Sequence, residues 1–312
     1  MTDKQEIERR EGVLTFVRIG ELDDNPVKGK FDAAHLKEIH RRIFQDLPHH
    51  DPGEYRPDAP AHIKARALEG LGHRYHVHYA PRSEVDAGVE RVLSEFGGPD
   101  SLRGLNAEQF SSRMAKLYGD LDHLHPFKEG NSRTLRAFTA QLAREAGREL
   151  NWNITNEDAA SRDRLYIARD KEVMQRAFPG LDRERAMKTD SRVEYEAYIR
   201  FMAPFSKADT LENLIKKLAY QAKDLDAAKA FREESQEDAL KKSPDLAGSF
   251  AKLAAIGRKA EVDGLNSRQR SAVVAHAREA LAIPIERGER PVQAIKEVQV
   301  SEKGADWGAA ER

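Results

Sequence analysis

His125-Pro126-Phe127-Lys128-Glu129-Gly130-Asn131-Ser132-Arg133-Thr134-Leu135-Arg136 separates two strong helical patterns. Before it, Phe110, Met114, Leu117, Tyr118, Leu121 and Leu124 make one apolar stripe, which predicts a helix from Ala107 to Leu124. After it, Leu135, Phe138 and Leu142 make a second stripe, which predicts a helix from Asn131 to Ala146 with Gly147 as its C′ residue. Pro126 disfavours helix at His125, and Gly130 frees the backbone just before the second helix begins. The segment therefore reads as helix, tight turn, helix.

The residues of the turn share one chemistry. Gly130, Asn131 and Ser132 place unpaired backbone N–H groups at a helix start, which favours an anion. Arg133 and Arg136, three apart, bring two guanidiniums to the first turns of that helix, as a polyphosphate requires. Glu129 is a carboxylate beside the same place, the usual protein ligand of a Mg²⁺ ion that keeps waters and phosphate oxygens. His125, whose ordinary pKa lies near 6.5, is the natural general base. Base, metal carboxylate, phosphate nest and paired arginines together imply phosphoryl or nucleotidyl transfer.

This stretch resembles the Fic signature HPFx(D/E)GN(G/K)RxxR, matching at His125, Pro126, Phe127, Glu129, Gly130, Asn131, Arg133 and Arg136. The likeness extends to Phe31-Asp32-Ala33-Ala34-His35-Leu36 with Ile39-His40, to Gly53-Glu54-Tyr55-Arg56, and to Ala143-Arg144-Glu145-Ala146-Gly147 with Leu150 and Trp152. The chain resembles class I FicT-type toxins and secreted Fic effectors. That resemblance implies a protein adenylyltransferase, moving AMP from ATP to a Tyr, Thr or Ser hydroxyl of a target protein. In it, His125 deprotonates the target, and Glu129 holds Mg²⁺ on the α- and β-phosphates. Gly130, Asn131 and Ser132 form the anion hole, Arg133 and Arg136 bind the β- and γ-phosphates, and Phe127 anchors the loop. The target adds as a strand along the flap residues Tyr75, His76, Val77 and His78. Ser132 stands where the signature has Gly or Lys, so a Doc-like kinase, with the nucleotide reversed, is the alternative; a scaffold acting through its C-terminal helices is a third reading. Similar toxins modify type II topoisomerases, which names a first target. The family's inhibitory helix carries (S/T)xxxE(G/N). Ile7, Ala65 and Ala208 precede Glu11-Gly12, Glu69-Gly70 and Glu212-Asn213 where Ser or Thr is required, so a separate antitoxin is expected to supply the inhibitory Glu to Arg136.

Farther out, Leu36, Ile39, Ile43 and Phe44 predict a helix within Phe31–Leu47 with Asp32 as N-cap. Ile63–Pro81 is the one convincing β segment. Tyr75, Val77 and Tyr79 alternate with His76 and His78, so a hairpin with its second arm at Arg74–Ala80 is predicted. His73, His76 and His78 read as solvated flap residues rather than metal ligands. Helices are expected across Asn156–Phe205, and a boundary near Pro204–Asp209. The fold class is all-α: a Fic helical bundle with a small β-hairpin flap at 31–205, after an N-terminal segment at 1–30. A helical C-terminal domain at 206–300 and a tail at 301–312 follow.

Composition narrows the alternatives. The chain has 312 residues, 34% of them charged, and no cysteine, which excludes disulfides, thiolate catalysis and cysteine zinc sites. Mean hydropathy is −0.72, and no stretch approaches the roughly 20 apolar residues of a membrane helix. A net charge of −1 gives no bulk pull toward nucleic acid. The polar stretch 1–10 lacks the apolar core of a secretory leader, so a cytoplasmic protein is expected, with export into a host or recipient cell as the other location.

Overall fold

The computed structural model describes residues 3–59, 62–156, 158–220 and 225–286. Two compact units divide between residues 221 and 222. The first holds α1 (Asp3–Asp24), α2 (Ala33–Phe44), β1 (His62–Leu68), β2 (His73–Tyr79), α3 (Val85–Phe96), α4 (Ala107–Leu124), α5 (Asn131–Glu145) and β3 (Glu149–Leu150). It continues with α6 (Ala159–Ala177), α7 (Arg183–Lys188), α8 (Arg192–Ala197), α9 (Leu211–Leu218) and β4 (Ala219–Tyr220). The second holds α10 (Leu225–Glu233), α11 (Gln236–Lys242), α12 (Ala247–Val262) and α13 (Ser267–Glu286).

The first unit is a helical bundle built around α4, whose predicted stripe is fully buried. A capping box of Asn106 and Gln109 starts α4. Helices α3, α5, α6 and α9 pack against it. Asp32 caps α2 by accepting the His35 N–H at 2.9 Å, as predicted. Helix α5 ends in a Schellman motif: the Arg148 N–H reaches the Ala143 carbonyl and the Gly147 N–H the Arg144 carbonyl, with Gly147 at φ 81°.

The hairpin is antiparallel, pairing His62 with Tyr79 through to Leu68 with His73. Tyr75, Val77 and Tyr79 face inward onto α6, beside Ile167, Val173 and Met174. Asp170, buried in α6, pins both arms: Arg66 Nε donates to it at 2.8 Å and Tyr75 Oη at 2.8 Å. The side chains of Tyr75 and Val77 are thus core; of the flap quartet His76 is exposed and His78 half-buried.

Three features lie beyond the sequence patterns. The N-terminal segment, to which no helix was assigned, forms the long helix α1, packed on α2. Helix α3 fills residues to which no element was assigned. Leu211, Ile215 and Leu218 of α9 bury themselves in the main core, and β4 pairs with β3. The first unit therefore runs past the 204–209 segment. The second unit has its own core, centred on Phe231 and Phe250, whose rings lie 4.6 Å apart. Its helices break at 243–246 and 263–266, and α13 continues through Pro284. The expected tail at 301–312 and the end of the 206–300 region lie outside the described residues. Among the described residues no helix is long and apolar enough to cross a membrane.

Candidate active site

His125 terminates α4 in the left-handed region, with φ 46° and ψ 57°, and its N–H closes the helix on the Leu121 carbonyl. Such a backbone costs a non-glycine residue about 1–2 kcal/mol, so neighbours must hold it. Arg56 does so. From a buried position its Nε donates to the His125 carbonyl at 2.9 Å and its Nη2 to the Ala80 carbonyl at 2.6 Å. Its own N–H reaches the Pro126 carbonyl at 2.8 Å. One guanidinium thereby joins the end of the flap to the turn that carries His125.

The remainder of the turn is locked from beneath. The Phe127 ring is buried and stacks on His40, with centroids 3.9 Å apart and planes 1° apart. His40 accepts the Gly53 N–H at Nδ1, which leaves Nε2 to donate to the Glu129 carbonyl at 3.1 Å. Burial, only partly opposed by that carbonyl, pulls the His40 pKa to about 4, consistent with a neutral ring in these two bonds. Asn131 spends its side chain on the turn, accepting the Phe127 N–H at 2.9 Å and donating to the Phe127 carbonyl at 2.7 Å. The Asn131 side chain is therefore committed to the turn itself. Gly130 has φ 76°, and a Cβ there would lie 1.9 Å from Phe44 Cζ; both facts require glycine.

The predicted site residues converge. Asn131, Ser132 and Arg133 form the first turn of α5, where backbone N–H groups have no intrahelical acceptor. Ser132 does not have positive φ, so replacing the signature glycine by serine strains nothing. Glu129 accepts the Gly130 N–H at 2.9 Å, and its side chain is 47% exposed, with Lys64 Nζ at 3.6 Å and Arg133 Nη2 at 3.7 Å. Burial pushes its pKa up, but Lys64, the Gly130 amide and Arg133 outweigh it and hold the carboxyl below its ordinary value. Arg133 lies over the Phe44 ring at 4.8 Å and donates to Thr15 Oγ1 of α1 at 3.0 Å. Arg136 donates to Asn156 Oδ1 at 3.2 Å.

The His125 ring is buried, and neither ring nitrogen makes a hydrogen bond among the described residues. Asp122, one turn earlier on α4, lies 3.7 Å from Nδ1 and is itself held by a bidentate pair with Arg169 at 2.8 and 3.0 Å. The Tyr79 ring packs 3.9 Å from His125 and the His62 ring 5.1 Å. Burial pulls the His125 pKa to about 4 against the opposing pull of Asp122. Burial likewise takes His62 to about 3, helped by the proximity of His125 and Arg56. The ring at the centre of the turn is thus neutral at pH 7, backed by a carboxylate and covered by the start of the flap.

Asp122, His62, Lys64 and Thr15 were not evident as site residues. Asp122 had the one local signal, a carboxylate three positions before the histidine on the same helix. Of the flap histidines, His73 Nε2 contacts the Arg200 carbonyl at 2.7 Å and His78 packs on Phe178, so they do not converge on a point.

Residues 30–143 match the family model described as the Fic/DOC family. The protein adenylyltransferase VbhT of Bartonella schoenbuchensis is 34% identical over 151 residues, which are 48% of this chain and 29% of that one. The probable protein adenylyltransferase Fic of Escherichia coli is 27% identical over 162 residues, 50% of this chain and 70% of that one. A crystal structure of the BepC protein with bound AMPPNP from Bartonella tribocorum superposes with a TM-score of 0.48 at 18% identity, over 72% of this chain and 90% of that one. The chain spans less than a third of the length of the first relatives it matches. The match to the Fic/DOC family model over residues 30–143 encloses the signature turn at the head of α5, and that segment of the chain is similar to the family.

Proposed function

We propose that the chain transfers AMP from ATP to a Tyr, Thr or Ser hydroxyl of another protein. The observation that carries this reading is a buried His125 ring whose nitrogens make no hydrogen bond among the described residues, with Asp122 3.7 Å from Nδ1, heading the turn that leads into the start of α5. With Asp122 on the Nδ1 side, Nε2 is the nitrogen left to accept the target's proton. The hydroxyl oxygen then attacks the α-phosphorus, a new O–P bond forms, the bond to the β-phosphate oxygen breaks, and pyrophosphate leaves. Backbone N–H groups of the α5 start would hold phosphate oxygens, and Arg133 and Arg136 the distal phosphates. Glu129 fits Mg²⁺ in donor chemistry, being a half-exposed hard oxygen at the mouth of that turn; the ion, when bound, neutralises phosphate charge. The relatives named as protein adenylyltransferases support AMP as the transferred group. The ordinary backbone of Ser132 removes the one reason in the sequence to favour a reversed, kinase-like nucleotide.

His62 and Tyr79 cover His125, so the target strand must displace the start of the flap before transfer. Beta-strand addition to the hairpin would use backbone groups of Tyr75 to His78, since two of those side chains are core. A toxin role, with a type II topoisomerase as first target and a small antitoxin reaching Arg136, is part of this proposal. A second regulatory reading rests on α1: Thr15 already occupies Arg133, and the charge of Glu11 reaches the same guanidinium. In that reading the chain restrains its own phosphate site. Incubation of a bacterial lysate with α-labelled and γ-labelled ATP tests the activity. Label from the α position alone supports AMP transfer; label from γ alone means phosphate transfer, and neither means a binding role.

A further inference from the structure

Near the phosphate turn, but outside it, three metal-ligating side chains meet. Glu11 projects from α1, and His49 and His50 come from the short 3₁₀ turn Pro48–His50 that follows α2. His49 Nε2 lies 2.7 Å from Glu11 Oε1, and His50 Nε2 lies 3.3 Å from the same oxygen. All three ligand atoms fall within 4.8 Å of one another, and no other group of three histidines, aspartates or glutamates does so among the described residues. His50 Nε2 is buried and makes no hydrogen bond among the described residues. A buried imidazole nitrogen aimed at a carboxylate, without a hydrogen bond, is an atom still needing a partner.

From this geometry we propose that Glu11, His49 and His50 form a binding site for a Zn²⁺-class divalent cation. Two imidazoles and one carboxylate are the donor set of zinc sites that keep a position open to water, and imidazole disfavours Mg²⁺ and Ca²⁺. With bonds of about 2.0–2.1 Å, tetrahedral ligands lie roughly 3.4 Å apart. The His50–Glu11 separation of 3.3 Å is close to that value, the His49–Glu11 separation of 2.7 Å must open by roughly 0.7 Å, and the exposed His49 ring has room to rotate. Binding uses the Nε2 lone pair of His49, so the neutral ring carries its proton on Nδ1 in the metal-bound form, and the bridge from Nε2 to Glu11 is given up.

The ion would clamp α1 to the 48–50 turn. That turn is tied to the signature loop by Lys128, whose Nζ donates to the His49 carbonyl at 3.0 Å and pairs with Asp51 at 3.2 Å. One turn along α1 from Glu11, Thr15 holds Arg133. A cation at Glu11 thus fixes the helix that lies on the phosphate-binding arginine.

The test uses untagged, chelator-treated full-length protein. Calorimetric titration with ZnCl₂ should show one ion per chain and a raised thermal midpoint, whereas MgCl₂ should show neither at this site. Loss of outer-shell support alone weakens metal sites by about 10–100-fold, so Glu11→Gln and His49→Ala should each lower Zn²⁺ affinity at least about tenfold. Both positions are surface-accessible, and far-ultraviolet dichroism checks that the fold persists. Co²⁺ in place of Zn²⁺ should give the visible bands of a tetrahedral site, lost in both variants. No Zn²⁺ uptake by the parent protein overturns the proposal. So does uptake that survives both substitutions, or that falls instead with His76→Ala.

Discussion

Replacing Arg56 by Lys keeps the charge and removes the fork. The guanidinium reaches two carbonyls at 2.9 and 2.6 Å and a third, that of Leu124, at 3.4 Å. A lysine ammonium on a shorter reach can keep one of the short bonds but not both. A hydrogen bond from a charged donor contributes about 1.5–3 kcal/mol, and the abandoned carbonyl stays buried. Arg56 Nη1, however, is buried with no partner among the described residues, and burial lowers the Arg56 pKa, so part of that gain is already offset. The expected loss is about 2 kcal/mol. For a unit of this size that is a fall of roughly 4–8 °C in thermal midpoint. The same change loosens the backbone of His125, and a displacement of about 1 Å can cost on the order of 100-fold in rate. ATP affinity should hold, because Arg56 does not touch α5. Urea unfolding with an unchanged slope measures the first effect, and single-turnover transfer the second. An Arg56→Lys protein with parental midpoint and parental rate would refute the assignment of Arg56 as the residue positioning His125.

Gly130→Ala adds a left-handed penalty of about 1–2 kcal/mol to overpacking against Phe44 of about 1–3 kcal/mol, so a loss of about 2–5 kcal/mol is expected; an unchanged melt would contradict the close approach. Because His125 acts neutral and its pKa is pulled to about 4, transfer should stay flat as pH falls through 6.5 and decline only toward 4; His62→Ala, by exposing the ring, should move that acidic limb upward, and a parental limb near 6.5 would show an exposed base. The same depression links stability to pH: the unfolded chain takes up protons on His125 and His40 below about 6.5 while the folded one does not. Stability from these neutral rings is therefore complete above 6.5 and is lost as pH falls toward 4, which urea midpoints across that window would show. Thr15→Ala releases Arg133 from α1 and should tighten ATP binding by about the 0.5–1.5 kcal/mol of one hydrogen bond, measured by calorimetry; weaker binding would mean that Thr15 assists the nucleotide rather than competing with it.

What is legible in the sequence is what depends on near neighbours. Pro126 and Gly130 mark the turn, the stripes at Phe110–Leu124 and Leu135–Leu142 mark its flanking helices, and Asp32 marks a cap, because each acts within a few residues. The hairpin is legible because tyrosine and valine alternate with histidine against a single buried face. Arg56, His40 and Asp122 carry no such local signature of their roles. Arg56 meets the His125 carbonyl across 69 residues and His40 meets the Glu129 carbonyl across 89, through contacts that only packing creates. Helix α1 escapes the pattern reading for another reason. It is weakly amphipathic, and Val13, Phe16 and Val17 are left exposed, so no apolar stripe announces it. Ser132 is a departure from the signature that the sequence shows at once, whereas its ordinary φ in the first turn of α5 is visible only in the fold.

The measurement that bears most directly on the proposed chemistry is AMP transfer from α-labelled ATP by His125→Ala beside the parent protein, with ATP affinity measured on both. Removing a general base lowers the rate by about 10²–10⁴-fold. His125 touches the hydroxyl rather than the phosphates in this arrangement, so the affinity for ATP should stay nearly unchanged. Transfer by the variant at the parental rate would contradict the assignment of His125 as the base, and with it the reading of the turn as the site of transfer.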